Sequence, residues 1–335
     1  MRVAMFHGAG RPLTIEPLAS RPLGPLDIRV KVARCGICGS DVSMTSGSAF
    51  DYHAHIPLGH EYAGEVIEVG KLVTGFRIGD RVACMPKAGC GQCDACAQGH
   101  TFFCPTGPMQ FGGFGDEVVV LASYAFLLPQ TVSLAEGALV EPMACGRRGL
   151  AMAGLQAGQR VLVLGAGALG LSAVYWARAM GAGRIVAATR SRRRDEAVLE
   201  LGADAVHAFD EDDPAELTAK LGGEPDIVVE AIGKPGMIAK AVERVRWGGT
   251  VVSLGMCTSG ETLMPIACAG KEARLLFPLA YSIGDFEATV RAFDADTVHP
   301  ELMISDVIAL EALPAVLEAM RGPHGYGKVQ VDPGL

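Results

Sequence analysis

Residues 161–170 constrain the fold of this chain most strongly. An apolar run at 161–164 leads directly into the glycine motif G-A-G-A-L-G at 165–170, and an Ala-rich helical pattern follows. Glycines with this spacing between a strand and a helix let the backbone approach a pyrophosphate at the helix N-terminus. The segment therefore predicts an α/β fold with a doubly wound parallel sheet that binds a dinucleotide. An ordinary tight strand-to-helix turn is the alternative.

Two regions of the chain differ in composition and hydrophobic pattern. From residue 144 to 284, apolar strands alternate with helices, which predicts a parallel sheet with right-handed crossovers. Residues 1–143 are dense in glycine and proline and predict an irregular β-rich domain. The predicted segments are strands at 28–32, 64–69, 116–121, 161–164, 185–188, 227–230, 250–254 and 328–331, and helices at 169–180, 193–201 and 236–245.

The second strand of the predicted parallel sheet ends in hydroxyl and guanidinium groups. An acid at this point would hold the ribose 2′-hydroxyl of NAD, but the chain reads Thr189-Arg190-Ser191 and continues to Arg194. These groups suit a 2′-phosphate, so the sequence favours NADP over NAD, although the later arginines also fit a solvated helix start. The predicted cofactor contacts are Gly165, Gly167, Ala168, Leu169, Gly170, Thr189, Arg190, Ser191, Arg194, Ile232, Gly255 and Lys328.

Four cysteines, Cys90, Cys93, Cys96 and Cys104, are spaced two, two and seven residues apart. A zinc ion held by four thiolates needs sulfurs that converge from a tight loop, which only short spacings deliver. A redox dithiol would need a single C-x-x-C pair, and disulfides would suit a secreted domain. The spacing therefore predicts a closed structural zinc site.

A second group of metal-binding residue types lies upstream and downstream of this lobe. It comprises Cys38, the pair His60-Glu61, and Glu141. One thiolate, one imidazole and one or two carboxylates can form a zinc site that leaves a coordination position open, as catalysis requires. Taken singly, Cys38 and His60 would be ordinary buried residues. Cys35 and Cys38 could also be interpreted as a C-x-x-C redox pair.

Length, charge and hydropathy exclude several other classes. At 335 residues the chain can bury two separate cores. We find no signal-peptide pattern and no apolar run near the roughly 18–20 residues of a membrane span. A net charge of −8 disfavours general binding to nucleic acid or anionic membranes. We therefore expect a cytoplasmic protein whose ten cysteines stay reduced unless metal holds them.

Together these residues resemble the zinc-containing medium-chain alcohol dehydrogenase family. Its signature G-H-E-x2-G-x5-G-x2-V is met by Gly59, His60, Glu61, Gly64, Gly70 and Val73. The resemblance covers essentially the whole chain and implies a GroES-like catalytic domain from 1–143 and 285–335. It also implies a Rossmann domain at 144–284, a zinc lobe at about 89–105, and a substrate cleft where the domains meet.

The resemblance implies a role for each candidate ligand. Cys38 and His60 match the first ligands of a catalytic zinc, and Glu61 matches a ligand or exchanging neighbour. Glu141 occupies the remaining ligand position, as in sorbitol and related polyol dehydrogenases. With the cysteine lobe, two zinc ions per chain are implied. The family also implies a homodimer or homotetramer.

The implied proton path departs from the family pattern. Asp41 matches the residue that orients the His60 ring, and Ser40 matches the hydroxyl that starts the relay. The histidine that often ends the relay is Ser43 here. His53 and His55 are candidate substitutes, with a surface loop as the alternative.

The implied activity is hydride transfer between a nicotinamide cofactor and an alcohol, ketone or aldehyde. The Arg-Tyr pair of polyol dehydrogenases is replaced by Phe277-Pro278-Leu279, which favours a more apolar secondary or aromatic alcohol over a polyol. Candidate wall residues of the substrate site are Phe50, Phe111, Met143 and Leu279. A zinc-free quinone or enoyl reductase and a non-catalytic NADP-binding protein remain alternatives.

Overall fold

The computed structural model describes residues 1–49, 53–209, 213–295, 299–322 and 324–335. Contacts divide the chain into two units, one formed by residues 1–141, 282–295 and 304–335 and the other by residues 142–281 with Pro300–Met303. The predicted boundaries at 143 and 285 lie two and three residues from those observed. One difference is a correction: Pro300–Met303 belongs to the second unit, although we predicted all of 285–335 in the first.

Both units are built on β-sheets. The strands of the described residues are β1 Arg2–Phe6, β2 Thr14–Pro17, β3 Asp27–Gly36, β4 Ile56–Pro57, β5 Glu61–Val69, β6 Arg81–Cys84, β7 Glu117–Leu121, β8 Ala125–Leu127, β9 Arg160–Leu164, β10 Arg184–Thr189, β11 Ala205–Ala208, β12 Ile227–Glu230, β13 Thr250–Ser253, β14 Arg274–Leu276, β15 Ile304–Ala309 and β16 Lys328–Asp332.

The helices range in length from four to fourteen residues. They are α1 Gly39–Ser46, α2 Asp94–Ala97, α3 Leu134–Gly137, α4 Val140–Ala153, α5 Ala168–Ala179, α6 Asp195–Glu200, α7 Pro214–Leu221, α8 Met237–Arg244, α9 Pro265–Lys271, α10 Ile283–Asp294 and α11 Leu313–Ala319. Among the described residues, no helix combines the length and apolar character needed to cross a membrane.

The first unit holds a seven-stranded sheet and a small three-stranded sheet. The large sheet runs β15-β16-β3-β5-β6-β8, with β7 also paired to β3, and the small sheet runs β2-β1-β4. Apolar side chains of β3 and β5 that point inward, such as Ile28, Val30 and Val66, are fully buried in its core. The last strand, β16, pairs with β3 through Val331 and Cys35, so the tail of the chain completes the sheet that begins near its start.

The second unit is a six-stranded sheet in the order β11-β10-β9-β12-β13-β14, and all neighbouring strands are parallel. The order reverses between β9 and β12, and ligands of such sheets bind at the carboxyl ends of the strands on either side of this point. The central strands read as continuous apolar runs because both faces of the sheet are covered by helices. Val161, Leu162 and Val163 are accordingly fully buried.

Most predicted segments of the second unit agree with the structure, with two differences. The predicted helix 193–201 is a 3₁₀ turn, Arg192–Arg194, followed by α6. Strands β11 and β14 and helices α4, α7 and α9 were not predicted. Both strands are only three or four residues long and lie at the sheet edges, where hydrophobic patterning is weak.

Candidate metal centres and cofactor site

The first metal-binding residue is fixed by the start of α1. The chain leaves β3 at Gly36, and Cys38 is the N-cap of α1 in an extended conformation. The Asp41 carboxylate closes the cap, because its Oδ2 accepts a hydrogen bond from the Cys38 backbone N–H at 2.9 Å. Local capping chemistry therefore holds Cys38, Ser40 and Asp41 in one helical turn.

His60 lies immediately before β5, and its two ring nitrogens have different neighbours. Nδ1 lies 3.3 Å from Asp41 Oδ1, an ion-pair distance, although the two buried atoms are not aligned as a hydrogen bond. Nε2 lies 3.3 Å from the Ser40 hydroxyl oxygen. Burial lowers the pKa of His60, but Asp41 and Cys38 together raise it by more. The net pKa therefore lies well above its usual value.

Glu61 points into the interior and is fully buried. Its carboxylate accepts two hydrogen bonds from the Lys328 ammonium, at 2.7 and 2.6 Å, and Lys328 also donates to the Ile37 carbonyl at 3.0 Å. Gly36 leaves the necessary space, since a Cβ there would lie 2.0 Å from Glu61 Oε2. The cluster thus contains a buried lysine from the last strand.

Lys328 forms an ion pair inside the protein, a role that differs from the predicted one. We predicted it as a cofactor contact, whereas its ammonium is buried and bonded to Glu61. Burial lowers the pKa of Lys328, but Glu61, Cys38 and Glu141 raise it to a net value above normal. Whether Lys328 also touches a cofactor stays a prediction.

Ligand atoms of Cys38, His60 and Glu61 all lie within 4.8 Å of one another. Glu141 is in the first turn of α4 and is outside this group, although its charge reaches Lys328. The donor set of one sulfur, one nitrogen and one oxygen fits Zn²⁺. The contact between His60 Nδ1 and Asp41 Oδ1 also fits a zinc site. A His60 ring that bound metal through Nε2 would carry its proton on Nδ1, facing the Asp41 carboxylate.

The four cysteines of the lobe converge as their spacing predicts. Their sulfurs lie within 4.8 Å of one another, with Cys93 and Cys96 3.5 Å apart. Gly89 makes room, since a Cβ there would lie 2.5 Å from Cys96 Sγ. Burial raises the pKa of Cys104, but backbone N–H groups of Cys90 and Thr106 lower it to about 6 overall. Four converging thiols with amide support fit a structural zinc.

The glycine motif forms the predicted strand-to-helix turn between β9 and α5. Gly165 has a left-handed φ of 98°, and Gly167 is the N-cap of α5. A Cβ on Gly170 would lie 2.1 Å from the Gly165 carbonyl oxygen, so the helix can approach the strand only with glycine there. The backbone N–H groups of Ala168 and Leu169 lie in the first turn of α5, at the N-terminus where a pyrophosphate binds.

The end of β10 holds both cations and an acid. Arg194 donates a hydrogen bond to the Ala166 carbonyl at 2.6 Å, so its guanidinium lies against the glycine turn. Arg190 is exposed, and Ser191 caps the 3₁₀ turn. Asp195 Oδ1 lies 3.5 Å from the Thr189 hydroxyl. Asp195 lies six residues after Thr189 in the sequence, and the intervening 3₁₀ turn brings its carboxylate back to the end of β10.

Glu230 was missed by the sequence analysis and shapes the neighbouring loops. This buried carboxylate ends β12 and accepts hydrogen bonds from the backbone N–H groups of Ile232 and Gly233, at 2.7 and 2.8 Å. Ile232 packs against the glycine turn, since a Cβ on Gly165 would lie 2.8 Å from its Cγ1. Gly255 leaves room for Glu230 Oε2, which is 2.6 Å from where its Cβ would be. The available signal was an acid within an otherwise apolar strand.

The remaining predicted residues differ in their burial and surroundings. The Phe111 ring is 6.2 Å from the His60 ring, Met143 is fully buried, and Leu279 is 46% exposed. Phe50 lies outside the described residues. His53 is exposed, and the ring of His55 faces His7, so the end of the proton relay stays open.

Comparisons with known proteins agree with these sites. Residues 24–130 match the alcohol dehydrogenase GroES-like domain, and residues 168–295 match the zinc-binding dehydrogenase domain. Sorbitol dehydrogenase from Bacillus subtilis is 30% identical, covering 99% of this chain and 97% of that protein. The chain belongs to the zinc-containing medium-chain alcohol dehydrogenase family.

Solved structures of family members have the same fold. A zinc-binding dehydrogenase from Sinorhizobium meliloti 1021 bound to NADP has a TM-score of 0.91 at 29% identity and 99% coverage of both chains. The 2R,3R-butanediol dehydrogenase from Bacillus subtilis has a TM-score of 0.87 at 27% identity and 99% coverage of both chains. The protein is thus a zinc- and NAD(P)-dependent oxidoreductase of CH–OH groups, of the sorbitol dehydrogenase-like branch.

Proposed function

We propose that this dehydrogenase interconverts a secondary or aromatic alcohol and its carbonyl compound, with NADP as the preferred cofactor. The observation that carries the proposal is the cluster of Cys38, His60 and Glu61 beside the Ser40 hydroxyl. When bound, zinc supplies a Lewis acid that polarises the substrate oxygen, and the nicotinamide supplies or accepts hydride.

The side chains of the cluster have complementary tasks in this proposal. Asp41 holds both the Cys38 backbone and the His60 ring, so it fixes the angle between two ligands. Ser40 would relay the alcohol proton, because its hydroxyl oxygen, beside His60 Nε2, can accept that proton while its own hydrogen passes to water. Glu61 is the third ligand, and Lys328 orients its carboxylate.

The assignment of Glu61 over Glu141 is tested by zinc content. We expect Glu61→Gln to lose one zinc ion per chain and Glu141→Gln to retain both, because only Glu61 lies within the group of ligand atoms. Metal analysis of the two purified variants measures this difference. Loss of zinc from Glu141→Gln alone would instead make Glu141 the ligand.

The cofactor preference is supported by the cations at the end of β10. Arg194 lies against the glycine turn, Arg190 follows Thr189 directly, and the Sinorhizobium meliloti relative binds NADP. Asp195 would oppose a 2′-phosphate, but Arg192 pairs with it at 3.4 Å. The proposal is therefore that guanidinium groups dominate at this position.

Kinetics with both cofactors test this preference. We expect higher kcat/KM with NADP than with NAD, and Arg190→Asp should shift the ratio toward NAD by about tenfold or more, as loss of a charge-assisted contact implies. The neighbouring Arg193→Asp serves as the charge-matched control and should change the ratio less. Equal or better use of NAD by the natural protein would overturn the proposal.

The substrate class is supported by Phe277-Pro278-Leu279, which offers neither charge nor hydroxyl where polyol dehydrogenases have an Arg-Tyr pair. The butanediol relative is named for a small diol with secondary hydroxyl groups, and the sorbitol relative for a larger polyol. A screen of secondary, benzylic and polyol alcohols with NADP and NAD separates the two classes. Highest kcat/KM on polyols would favour the polyol alternative, and silence on all would place the substrate outside these alcohol classes.

We further propose a homo-oligomer in a reducing, cytoplasmic setting. Apolar side chains near the edge strand β14 are strongly exposed, among them Phe277 at 59% and Ile266 at 72%, and such surface is typical of an interface. No disulfide joins any of the ten cysteines, all of which lie in the described part of the chain, and a reducing compartment would keep them so. Light scattering of the purified protein would reveal a dimer or tetramer. A monomer would contradict the proposed homo-oligomer.

A further inference from the structure

A pair of histidines lies in the first unit, in the small sheet and separate from both zinc sites. Strand β1 ends at Phe6, which pairs with Ile56 of β4 in antiparallel register. His7 and His55 are therefore opposite one another at the next position, and the His55 backbone N–H donates to the Phe6 carbonyl at 2.7 Å. Backbone pairing thus holds two imidazole side chains together.

The distance between these rings suits a shared ion. His7 Nδ1 and His55 Nδ1 are 3.4 Å apart, with the rings at 75° to each other. Two nitrogens bound to one tetrahedral Zn²⁺ at about 2.1 Å are about 3.4 Å apart. The observed separation is long for a hydrogen bond but equals that tetrahedral edge.

The tautomer of His7 is set by its other nitrogen. Nε2 lies 2.8 Å from Glu16 Oε1 and 2.7 Å from the Thr14 hydroxyl, which itself donates to Glu16 at 2.6 Å. Because the Thr14 hydrogen is used toward Glu16, Nε2 must carry the proton that it donates to Glu16. The lone pair of neutral His7 is then on Nδ1, facing His55. A carboxylate behind a ligating histidine is the usual outer partner in zinc sites.

We propose that His7 and His55, backed by Glu16, form a third metal site that binds a tetrahedral divalent transition ion such as Zn²⁺. Its remaining positions would hold water, since His55 is exposed and Glu16 is turned to the far nitrogen of His7. The site is therefore open and weaker than the two resident sites. His55 also has a left-handed φ of 65°, a conformation that costs a non-glycine residue energy and that orients its ring toward His7.

Zinc titration of the holoenzyme tests the proposal. The protein is first dialysed to constant content of its resident zinc, then titrated with Zn²⁺ in a calorimeter, and bound metal is counted by mass spectrometry. We expect one further ion per chain. His7→Ala and His55→Ala should abolish this binding, and Glu16→Gln should weaken it by about tenfold or more, as loss of an outer partner does.

His53→Ala is the matched control, because His53 lies in the same loop and is exposed but has no part in the pair. It should bind the further ion as the natural protein does. Should His55→Ala unfold, His55→Asn replaces it, with thermal unfolding as the check. No further ion, an ion retained by both His7 and His55 variants, or equal loss in His53→Ala would overturn the proposal. In that case the His7 and His55 rings would only contact each other and would bind no metal.

Discussion

The two candidate zinc sites of the first unit are assembled in opposite ways. The cysteine lobe takes its four sulfurs from residues 90–104, and Cys90 is exposed. The second cluster joins Cys38, His60 and Glu61 to Lys328, which is 267 residues from Glu61, and its carboxylates are fully buried. We therefore expect zinc to stabilise the lobe as a local structure, whereas the buried cluster depends on the packing of the large sheet.

This contrast predicts that the largest functional effect belongs to the buried cluster. His60→Ala should lower kcat by about a thousandfold or more, because it removes a ligand of the group that supplies several kcal/mol of charge stabilisation. NADPH binding should persist, since the glycine motif belongs to the second unit. Turnover and NADPH fluorescence titration measure the two effects, with Cys35→Ala as the control for a buried residue outside the ligand group. Normal turnover in His60→Ala would refute the ligand assignment.

Lys328→Met tests whether the buried cluster depends on its distant lysine. In protein stripped of zinc, removing one member of this buried ion pair leaves the Glu61 carboxylate without a cation and should cost about 3–5 kcal/mol of folding free energy. Denaturant unfolding of the first unit measures this cost. Lys328→Arg keeps the charge and should recover part of the stability. Equal stability of the methionine variant and the natural protein would show that Glu61 finds another partner.

Cys93→Ser tests the local character of the lobe. Loss of one thiolate should release one zinc ion and loosen residues 90–104, with a smaller effect on kcat than His60→Ala has. Hydrogen exchange of the lobe and metal analysis check both parts. If exchange rises instead throughout the large sheet, the lobe is coupled to the core and the contrast between the sites fails.

The smallest expected effect lies outside both sites, at Asp226 of the second unit. Burial raises the pKa of the Asp226 carboxyl. The opposite effect is larger: it comes from the Arg160 backbone N–H and from the Arg246 and Arg160 side chains, so the net pKa is below its normal value. The folded state therefore binds fewer protons than the unfolded state near the normal pKa, and this stabilisation is complete above about pH 4 and is lost below it.

Asp226→Asn should accordingly cost about 1–3 kcal/mol at pH 7, as loss of hydrogen bonds to a charged group does. The difference from the natural protein should shrink as pH falls below about 4. Fluorescence of Trp176 and Trp247, both in the second unit, reports this unfolding. A difference that grows in acid would contradict the assigned sign.

The sequence predicts a site formed by one short segment better than a site that joins distant segments. The spacing of Cys90 to Cys104 predicts that lobe because short chain segments keep the four sulfurs within reach of one ion. The glycine motif likewise predicts the turn between β9 and α5. Residue types at Cys38, His60 and Glu61 suggested the second cluster, and the structure brings them together.

The rest depends on contacts between distant segments. Lys328 pairs with Glu61 only because β16 lies beside β3, a pairing that no local pattern encodes. Glu230 seemed part of an apolar strand, and its role became visible only with the amides of Ile232 and Gly233. Asp195 was overlooked because a 3₁₀ turn brings it back to Thr189.

The ion pair between β5 and β16 has a consequence for biosynthesis. Domains fold as units while the chain is being made, yet the Glu61 carboxylate has no lysine partner until residue 328 has left the ribosome. For most of translation this acid is a charge in a half-built sheet, so chaperones that shield nascent chains would protect the enzyme most before its final residues emerge.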